Sequence, residues 1–231
     1  MASKDFYCYE THLHTSPVSK CAKTTVRETL EAYVKLGYDG VFITNHFIGG
    51  NMLRDPSWSY EEAIRFYFSD YEEGVRLGKE LGIDVFCGIE ISYKGTDFLV
   101  YGLDKEWFLA HPEIESMKFS SFLSLLSEAG ALIIHAHPFR EASYIDHIRL
   151  FPRHIHGVET YNACRTPFEN GMAEMYAQYY GMPTFSGSDN HIGGAQKKFG
   201  GMQSDTPIRD ENDFVERYRK GELKLIRLEL A

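Results

Sequence analysis

The sequence predicts an α/β fold, either a parallel sheet or a compact α/β barrel, and three observations support this prediction. Seven or eight short apolar segments have the length and β-branched content of buried strands. Most of them are separated by segments with helical periodicity and helix-capping signals. The chain has only 231 residues, and such alternation in a short chain is typical of parallel α/β architectures. Periodicity alone leaves the choice between sheet and barrel open.

The predicted strands are short, and several end directly before a polar residue. In chain order they are residues 7–14, 40–44, 85–91, 98–103, 131–136, 157–161, 183–187 and 223–228. The segment 131–136 is apolar enough for a central strand, whereas 157–161 is shorter.

The predicted helices are marked mainly by their ends. Capping boxes at Thr25 and Ser59 begin two helices, and Gly37 and Gly82 are placed to end them, so the second is expected to run without a break to Leu81. Pro167 occupies an early helical position that proline tolerates. The remaining predicted helices are residues 119–129, 167–180 and 212–220.

Composition and charge limit the classes of function. No linker or internal repeat divides the chain, so residues 1–231 are expected to form a single domain. The net charge of −9 argues against nucleic acid as a partner. No apolar run approaches the roughly 20 residues of a membrane span, and the first residues do not resemble a signal peptide. The four cysteines form no close pair, which favours reduced thiols and a cytoplasmic location.

The ten histidines are the unusual feature of the composition. Several of them, together with two carboxylates, stand at the carboxyl ends of predicted strands, where the ligands of parallel sheets and barrels bind. His12 and His14 alternate along one strand, so both imidazoles can face the same point. The residues at these strand ends are His12, His14, His46, Glu90, His135, His137, Asp189 and His191.

Imidazole nitrogen and carboxylate oxygen form a ligand mixture that suits Zn, Mn or Fe. About five histidines and two carboxylates are too many for one tetrahedral ion, so two or three divalent ions are expected. Each residue taken singly also has an ordinary structural explanation. His135, for example, could be a core histidine. Glu90 is harder to explain in that way, because a carboxylate that ends an apolar strand is costly unless it is paired or metal-bound.

The motifs together resemble the polymerase and histidinol phosphatase (PHP) family of metal-dependent phosphoesterases. Their order and spacing along the chain are more specific than any single motif. They are His12-x-His14, Ile43-Thr-Asn-His46, Gly88-Ile-Glu90, His137-Pro138 and Ser186-Gly-Ser-Asp189-x-His191.

The resemblance implies a distorted barrel of about seven βα units with a metal cluster at the carboxyl ends of its strands. It also implies that one ion is held by His12, His14, Glu90 and Asp189. A second ion would be bridged by Glu90 and bound by His137, and a third would be bound by His46 and His191. Hydrolysis of a phosphate ester by a metal-bound hydroxide is the implied reaction. Arg140 lies where it could bind the phosphate of a small phosphorylated substrate, or form a surface salt bridge instead.

The chain departs from the family pattern at three positions. The metal ligand expected a few residues after the first motif is missing. Cys21 either replaces it as a soft metal ligand or is a thiol without a role at the site. Asn45 replaces the usual aspartate before His46, so it carries no charge. Asp97 is the predicted substitute for a family histidine on the following strand, although it could also be a turn residue at the strand entry.

Two enzymatic alternatives to a phosphoesterase stay open at this point. The same metal chemistry would serve an amide or lactone hydrolase, and a protein-tyrosine phosphatase is the other possibility. PHP domains also occur as structural parts of polymerases, but the short chain and its acidic charge argue against that role here. The sequence leaves the substrate, the metal and the oligomeric state undetermined.

Overall fold

The computed structural model describes residues 5–230, which build one mixed sheet of nine strands with seven α-helices around it. The strands are β1 (Tyr7–Leu13), β2 (Gly40–Ile43), β3 (Asp84–Tyr93), β4 (Thr96–Tyr101), β5 (Leu132–Ala136), β6 (Gly157–Asn162), β7 (Thr184–Gly187), β8 (Lys198–Ser204) and β9 (Lys224–Glu229). The helices are α1 (Val26–Leu36), α2 (Tyr60–Tyr67), α3 (Ser69–Leu81), α4 (Lys105–Ala110), α5 (Phe119–Glu128), α6 (Pro167–Tyr180) and α7 (Glu211–Lys220).

Strands β1 to β7 follow one another around the sheet and nearly close it into a barrel. The strand order is β7-β6-β5-β4-β3-β2-β1-β8-β9. Beyond the end of β7, the chain pairs with β1: His14 N–H donates to the Asn190 carbonyl at 2.8 Å, and Asn190 N–H donates to the His12 carbonyl at 3.2 Å. The distorted seven-stranded barrel expected from the resemblance is therefore confirmed.

The distortion has a definite origin in the direction of β4. Strand β4 runs antiparallel to both β3 and β5, whereas the pairs β1–β2, β2–β3, β5–β6 and β6–β7 are parallel. Because β4 is reversed, its first residues lie at the same end of the barrel as the carboxyl ends of the parallel strands. This direction brings Asp97 to the end where the histidines collect.

Strand β8 is an element that the sequence pattern did not predict. It pairs antiparallel with β1 and β9 outside the barrel. Its centre contains Gly200 and Gly201, and glycine normally lowers strand propensity. Gly201 has φ +142°, and a Cβ there would lie 2.2 Å from the Tyr9 carbonyl oxygen. Glycine is thus needed for the close approach of β8 to β1, which explains why the strand has a weak signature.

The helices begin and end largely where the capping signals place them. Thr25 and Ser59 each form a complete capping box, and Gly37 and Gly82 end their helices in the left-handed conformation. The prediction of one continuous helix from Ser59 to Leu81 was wrong, because the helix is interrupted at Phe68, between α2 and α3. The Ser69 hydroxyl donates to the Phe66 carbonyl at 2.7 Å, a local bond that competes with helical continuation.

Aromatic side chains fill the amino-terminal end of the barrel. The buried residues there come from almost every strand and are covered by α7, whose Phe214 and Tyr218 pack among them. The barrel-lining members of this cluster are Tyr9, Phe42, Phe86, Leu99, Tyr101, Leu132, Ile134 and Phe185. Since the apolar core occupies this end, buried polar side chains gather at the opposite end. No helix among the described residues is long and apolar enough to cross a lipid bilayer.

His135 is a core residue rather than a member of the polar cluster. Its ring is fully buried, stacks on Phe98 with 4.8 Å between centroids, and is hydrogen-bonded through Nε2 to the Thr96 hydroxyl at 2.8 Å. Burial, followed by repulsion from His137, lowers the pKa of His135 to about 3. In the folded protein this imidazole therefore stays neutral at pH values well below the ordinary pKa of histidine.

We predict that His135 makes the fold sensitive to acid. As pH falls below about 6.5, the unfolded chain binds a proton at this residue and the folded protein does not, so stability is lost. Urea unfolding at pH 7.5 and 5.5 measures the effect. The wild type should lose about 1.4 kcal/mol more between these pH values than a His135→Gln variant. The exposed His147→Gln variant is the control and should match the wild type. Equal losses in all three proteins would contradict the prediction.

Candidate metal centre

The predicted site residues meet at the carboxyl end of the barrel, although they come from strands far apart in the sequence. His12 lies within β1 and Glu90 within β3, and Asp97 is the second residue of β4. The others lie within four residues of the end of a strand. They are His14 after β1, His46 after β2, His137 after β5, and Asp189 and His191 after β7.

Glu90 is the carboxylate around which the histidines are arranged. Its side chain is 1% exposed. The shortest distances from its oxygens to imidazole nitrogens are 3.3 Å to His12 Nε2, 3.4 Å to His14 Nε2, 2.7 Å to His46 Nδ1 and 3.3 Å to His137 Nε2. Asp189 lies on another side of the cluster, with 3.5 Å from Oδ1 to the nearest nitrogens of His12, His14 and His191.

Most of these converging atoms are buried without a hydrogen bond in the described part of the chain. The nitrogen and carboxylate oxygen atoms approach each other closely, but their geometry is not that of an N–H donor and a carboxylate acceptor. The atoms concerned are His12 Nε2, His14 Nε2, His46 Nδ1, His137 Nε2, Asp97 Oδ2 and both carboxylate oxygens of Glu90. Buried polar atoms are normally paired, so a cluster of unpaired donors and acceptors has the composition of a cation site.

Four overlapping groups of three residues have ligand atoms within 4.8 Å of one another. The groups are His12, His14 and Glu90; His12, His137 and Asp189; Glu90, Asp97 and His137; and His14, His46 and His191. The first three groups contain a carboxylate and the last is made only of imidazoles. The cluster thus offers more ligand sets than one ion could use.

Hydrogen bonds behind the cluster fix which imidazole nitrogen is free. His12 Nδ1 lies 2.8 Å from a Glu159 carboxylate oxygen, and His191 Nδ1 lies 2.8 Å from the Asp189 carbonyl. Both partners are acceptors, so each Nδ1 carries the proton and each Nε2 keeps its lone pair.

The tautomer of His14 is set through a hydroxyl. The Ser19 hydroxyl donates to the Asn45 side-chain carbonyl at 2.8 Å, so it accepts from His14 Nδ1–H at 3.2 Å. The Nε2 atom of His14 therefore also keeps its lone pair for the cluster.

Glu159 on β6 is a supporting residue that the sequence reasoning missed. One carboxylate oxygen binds His12 Nδ1, and the other accepts the His137 backbone N–H at 2.9 Å and the Asn162 amide at 2.9 Å. It is fully buried. No motif distinguishes Gly157–Asn162 as a site strand. The only signal was a carboxylate at an inward position of a short apolar segment.

Asn45 carries no charge, but the structure places a carboxylate next to it. Its amide donates to Asp70 Oδ2 at 3.0 Å, and that oxygen also accepts from the Thr15 hydroxyl at 2.7 Å. An aspartate at position 45 would face Asp70 with a like charge inside the protein. The negative charge next to this position is therefore carried by Asp70 of α3, and Asn45 binds that carboxylate as a neutral donor.

Burial and mutual charge shift the pKa values of the cluster. Burial alone would raise the pKa of Glu90, but His46 and His12 outweigh it and hold that pKa well below its usual range. For Asp189, burial is likewise outweighed, mainly by His12, and its pKa is also lowered. Burial and the neighbouring His191 and His46 lower the pKa of His14. Both carboxylates thus stay ionised and His14 stays neutral. In His12 and His46 the neighbouring carboxylates outweigh burial and raise the pKa, so these two rings would release a proton when a cation binds.

The backbone is strained at two cluster residues. His137 has φ +26° and Asp189 has φ +53°, in a region that residues other than glycine rarely adopt. His137 directly follows β5 and Asp189 lies two residues beyond β7, and both side chains belong to the cluster. Such conformations persist where surrounding contacts over-determine them. The bond from His137 N–H to Glu159 is one such contact.

Asp97 and Arg140 lie together at the edge of the cluster. Arg140 Nη2 is 2.9 Å from Asp97 Oδ2, and that oxygen is 3.9 Å from His137 Nε2. Arg140 is therefore not part of a surface salt bridge, since its partner Asp97 is buried. It is a half-buried guanidinium held by a carboxylate of the cluster, and its Nε–H is buried without an acceptor.

A second arginine, which sequence reasoning did not single out, faces the same cavity. Arg165 follows β6, and its backbone N–H donates to the Asn162 carbonyl at 3.0 Å. Its Nε–H is also buried without a partner. The cavity has a volume of about 540 Å³ and is open to solvent. Its other lining side chains include Cys21, Asn51, Ser92 and Tyr144.

Comparison with solved structures relates this arrangement to known folds. A two-domain protein from Bacteroides vulgatus, which contains a predicted PHP-like metal-dependent phosphoesterase, has a TM-score of 0.68 and 14% identity over 96% of this chain and 64% of its own. The fold is that of the PHP-like phosphoesterases. This chain spans less than two thirds of that protein.

Two further structures share the fold at similarly low identity. PsfC from Pseudomonas syringae has a TM-score of 0.64 and 15% identity, covering 99% of this chain and 93% of its own. An amidohydrolase from Chromobacterium violaceum, solved with bound sulfate, has a TM-score of 0.55 and 13% identity over 95% and 97% of the two chains. No protein-family model and no curated protein matches the sequence.

We predict that Glu159 sets the metal affinity of the cluster without being a ligand itself. A Glu159→Gln variant keeps the size of the side chain but removes the charge that orients His12 and the His137 backbone. The affinity for Zn²⁺ or Mn²⁺ should fall by about 10- to 100-fold. Competition with a chromophoric chelator measures it, and the exposed Glu128→Gln variant is the control. An unchanged affinity would show that Glu159 only fills space.

Proposed function

We propose that this protein is a metal-dependent hydrolase that cleaves a phosphate ester of a small metabolite. The observation that carries the proposal is the pairing of two features in one cavity. Unpaired imidazole and carboxylate atoms form a cation site, and Arg140 and Arg165, each with a buried Nε–H that has no acceptor, line the same cavity. Guanidinium groups recognise phosphate through several N–H donors at once.

The donor set fits divalent ions of intermediate hardness. Nitrogen and oxygen ligands together suit Zn, Mn or Fe. The overlapping groups support two or three ions, with Glu90 and His12 each belonging to more than one group. When bound, such ions polarise phosphoryl oxygens and supply a hydrolytic water near neutral pH.

The residues of this chain would then orient the metal ligands and bind the substrate. Glu159 and Ser19 hold His12 and His14 in the tautomers that present Nε2. Arg140 is fixed by Asp97, and its remaining N–H donors can hold a phosphate oxygen beside the cluster. Arg165 has no ion pair of 4.0 Å or less within the described chain, so it contributes a full positive charge to substrate binding. The exposed Tyr144 ring, 5.8 Å from the Arg140 guanidinium, lies at the cavity wall where a leaving group would sit.

The size of the cavity supports a small substrate. A volume of about 540 Å³ falls within the range of pockets that bury metabolites and cofactors. A phosphorylated sugar, nucleoside or amino alcohol fits this range. A cytoplasmic location agrees with such a substrate and with four free cysteines.

Hydrolysis of an amide or lactone is the second candidate, and one observation favours it. One of the structural neighbours is an amidohydrolase. Carbonyl substrates need the same cation site but do not need two guanidinium groups beside it. A protein-tyrosine phosphatase would need the phosphorylated side chain to reach the cluster through the same opening.

The first experiment compares metal-free and metal-loaded protein. Chelated protein should be inactive on p-nitrophenyl phosphate and on a panel of phosphorylated metabolites, and Mn²⁺ or Zn²⁺ should restore hydrolysis. A His12→Ala variant should lose both bound metal and activity. If the variant loses metal and hydrolysis persists, the proposal is wrong. Cleavage of amides or lactones alone would decide for the second candidate, and phosphotyrosyl peptides test the third.

We predict that Arg165 binds the phosphate group. An Arg165→Gln variant loses a charge-assisted hydrogen bond worth about 1.5–3 kcal/mol, so kcat/KM should fall by about 10- to 100-fold. Inhibition by inorganic phosphate should weaken in parallel, whereas metal content should not change. Arg76→Gln, on the exposed face of α3, is the matched control. Unchanged phosphate inhibition in Arg165→Gln would remove Arg165 from the substrate site.

A further inference from the structure

Helix α6 is apolar on two opposite faces. On its inner face, Ala173, Tyr176 and Ala177 are buried in a cluster with Val158 of β6. Its outer face carries three of the four most exposed large apolar side chains of the described chain. They are Phe168, Met175 and Tyr179, which are 70%, 63% and 83% exposed. A helix with apolar residues on both faces is normally covered on both.

The three exposed side chains and Met172 form one stripe along the helix, which we call the α6 stripe. Its members are four, three and four residues apart, the spacing of side chains that pack between two paired helices. This spacing is the same in both chain directions. Two antiparallel copies of α6 related by a two-fold axis would therefore place Phe168 opposite Tyr179 of the partner subunit, and Met172 opposite Met175 of the partner subunit.

The α6 stripe contains no charged residue, although the chain has a net charge of −9. The two carboxylates of α6 are already bound. Glu169 accepts the Thr166 hydroxyl at 2.7 Å, and Glu174 lies 2.6 Å from Arg227 Nη2. Because a two-fold interface repeats every charge that it contains, an uncharged stripe avoids repulsion between like charges. The stripe therefore suits a second copy of this chain better than a highly charged partner.

Gly171 borders the α6 stripe, within one turn of Phe168 and Met175. It lies inside the helix, where glycine is less stable than alanine. Its backbone is not left-handed, and a Cβ at this position would meet no atom of the described chain within 4 Å. Nothing in the described chain therefore requires glycine here. A position without a side chain does, however, allow a second helix to approach closely.

We propose that the α6 stripe is the interface of a two-fold homodimer in which two α6 helices pack antiparallel. Since a large aromatic side chain buries about 150–250 Å², the exposed parts of the stripe amount to roughly 400–500 Å² per chain. Two copies would bury about 1,000 Å², which is the lower limit for a specific interface. The dimer is therefore expected to be reversible, with a dissociation constant in the micromolar range.

Sedimentation velocity of the full-length protein between about 1 and 200 µM measures the association. The wild type should change from monomer to dimer. Association should tighten between about 20 and 300 mM NaCl, because salt screens the repulsion between two chains of net charge −9. No residue of the stripe lines the metal-site cavity or belongs to its ligand groups, so the result does not depend on hydrolase activity.

A Met175→Glu variant places two carboxylates at the centre of the proposed interface. It should weaken the association by about 100-fold or more. The matched control is Val34→Glu, which adds the same charge at a partly exposed apolar position of α1. This control should dimerise like the wild type.

A Gly171→Ala variant keeps the test valid if Met175→Glu fails to fold, because alanine favours the helix. It should raise the urea midpoint of the monomer and weaken dimerisation by about tenfold. A wild type that stays monomeric at about 200 µM would overturn the proposal in favour of a partner other than this chain. Dimerisation of Met175→Glu as tight as that of the wild type would place the dimer on another surface and would also overturn it.

Discussion

The burial of the Glu90 carboxylate among four imidazoles is the interaction on which the rest of this site depends. An ionised carboxylate removed from water is costly unless compensating charge surrounds it. Its oxygens approach nitrogens of His12, His14, His46 and His137 without forming hydrogen bonds of proper geometry. Four neutral imidazole lone pairs would repel the carboxylate, and four imidazolium ions would repel one another. Cations placed between the nitrogens and oxygens resolve both conflicts.

A second set of buried groups makes that arrangement rigid. Glu159 holds His12 and the strained His137 backbone, Ser19 holds His14, and Asp70 acts through Asn45 to position Ser19. Glu159 and Ser19 orient the rings of His12 and His14 toward the cluster by occupying the nitrogen that points away from it. The strained backbone of His137 and Asp189 is tolerated because these contacts hold the strand ends in place. A loop-based site without this support would lose its alignment.

The sequence predicted the parts of this site that follow local rules. Histidines and carboxylates placed at strand ends converge in any parallel barrel, so His12, Glu90 and Asp189 were found from spacing and the family motifs. Glu159 and Arg165 were not found, because their roles depend on contacts between elements that no local pattern encodes. Strand β8 was missed because Gly200 and Gly201 give it a weak strand signature, although Gly201 is needed for the close approach to Tyr9 and Gly200 for the approach to Gly187. The interruption at Phe68 was missed because the capping signals at Ser59 and Gly82 mark the two ends of one continuous helix.

The charge of the cavity determines how an anionic substrate can enter it. Glu90, Asp97, Glu159 and Asp189 are acidic, while Arg140 and Arg165 are basic, so carboxylates outnumber guanidinium groups around the cluster. Asp97 also neutralises most of the field of Arg140. Divalent ions bound among these carboxylates add positive charge at the place where a phosphate would lie. The net charge of −9 for the whole chain is thus compatible with a phosphorylated substrate, provided that the ions bind first and Arg165 supplies the uncompensated positive charge beside them.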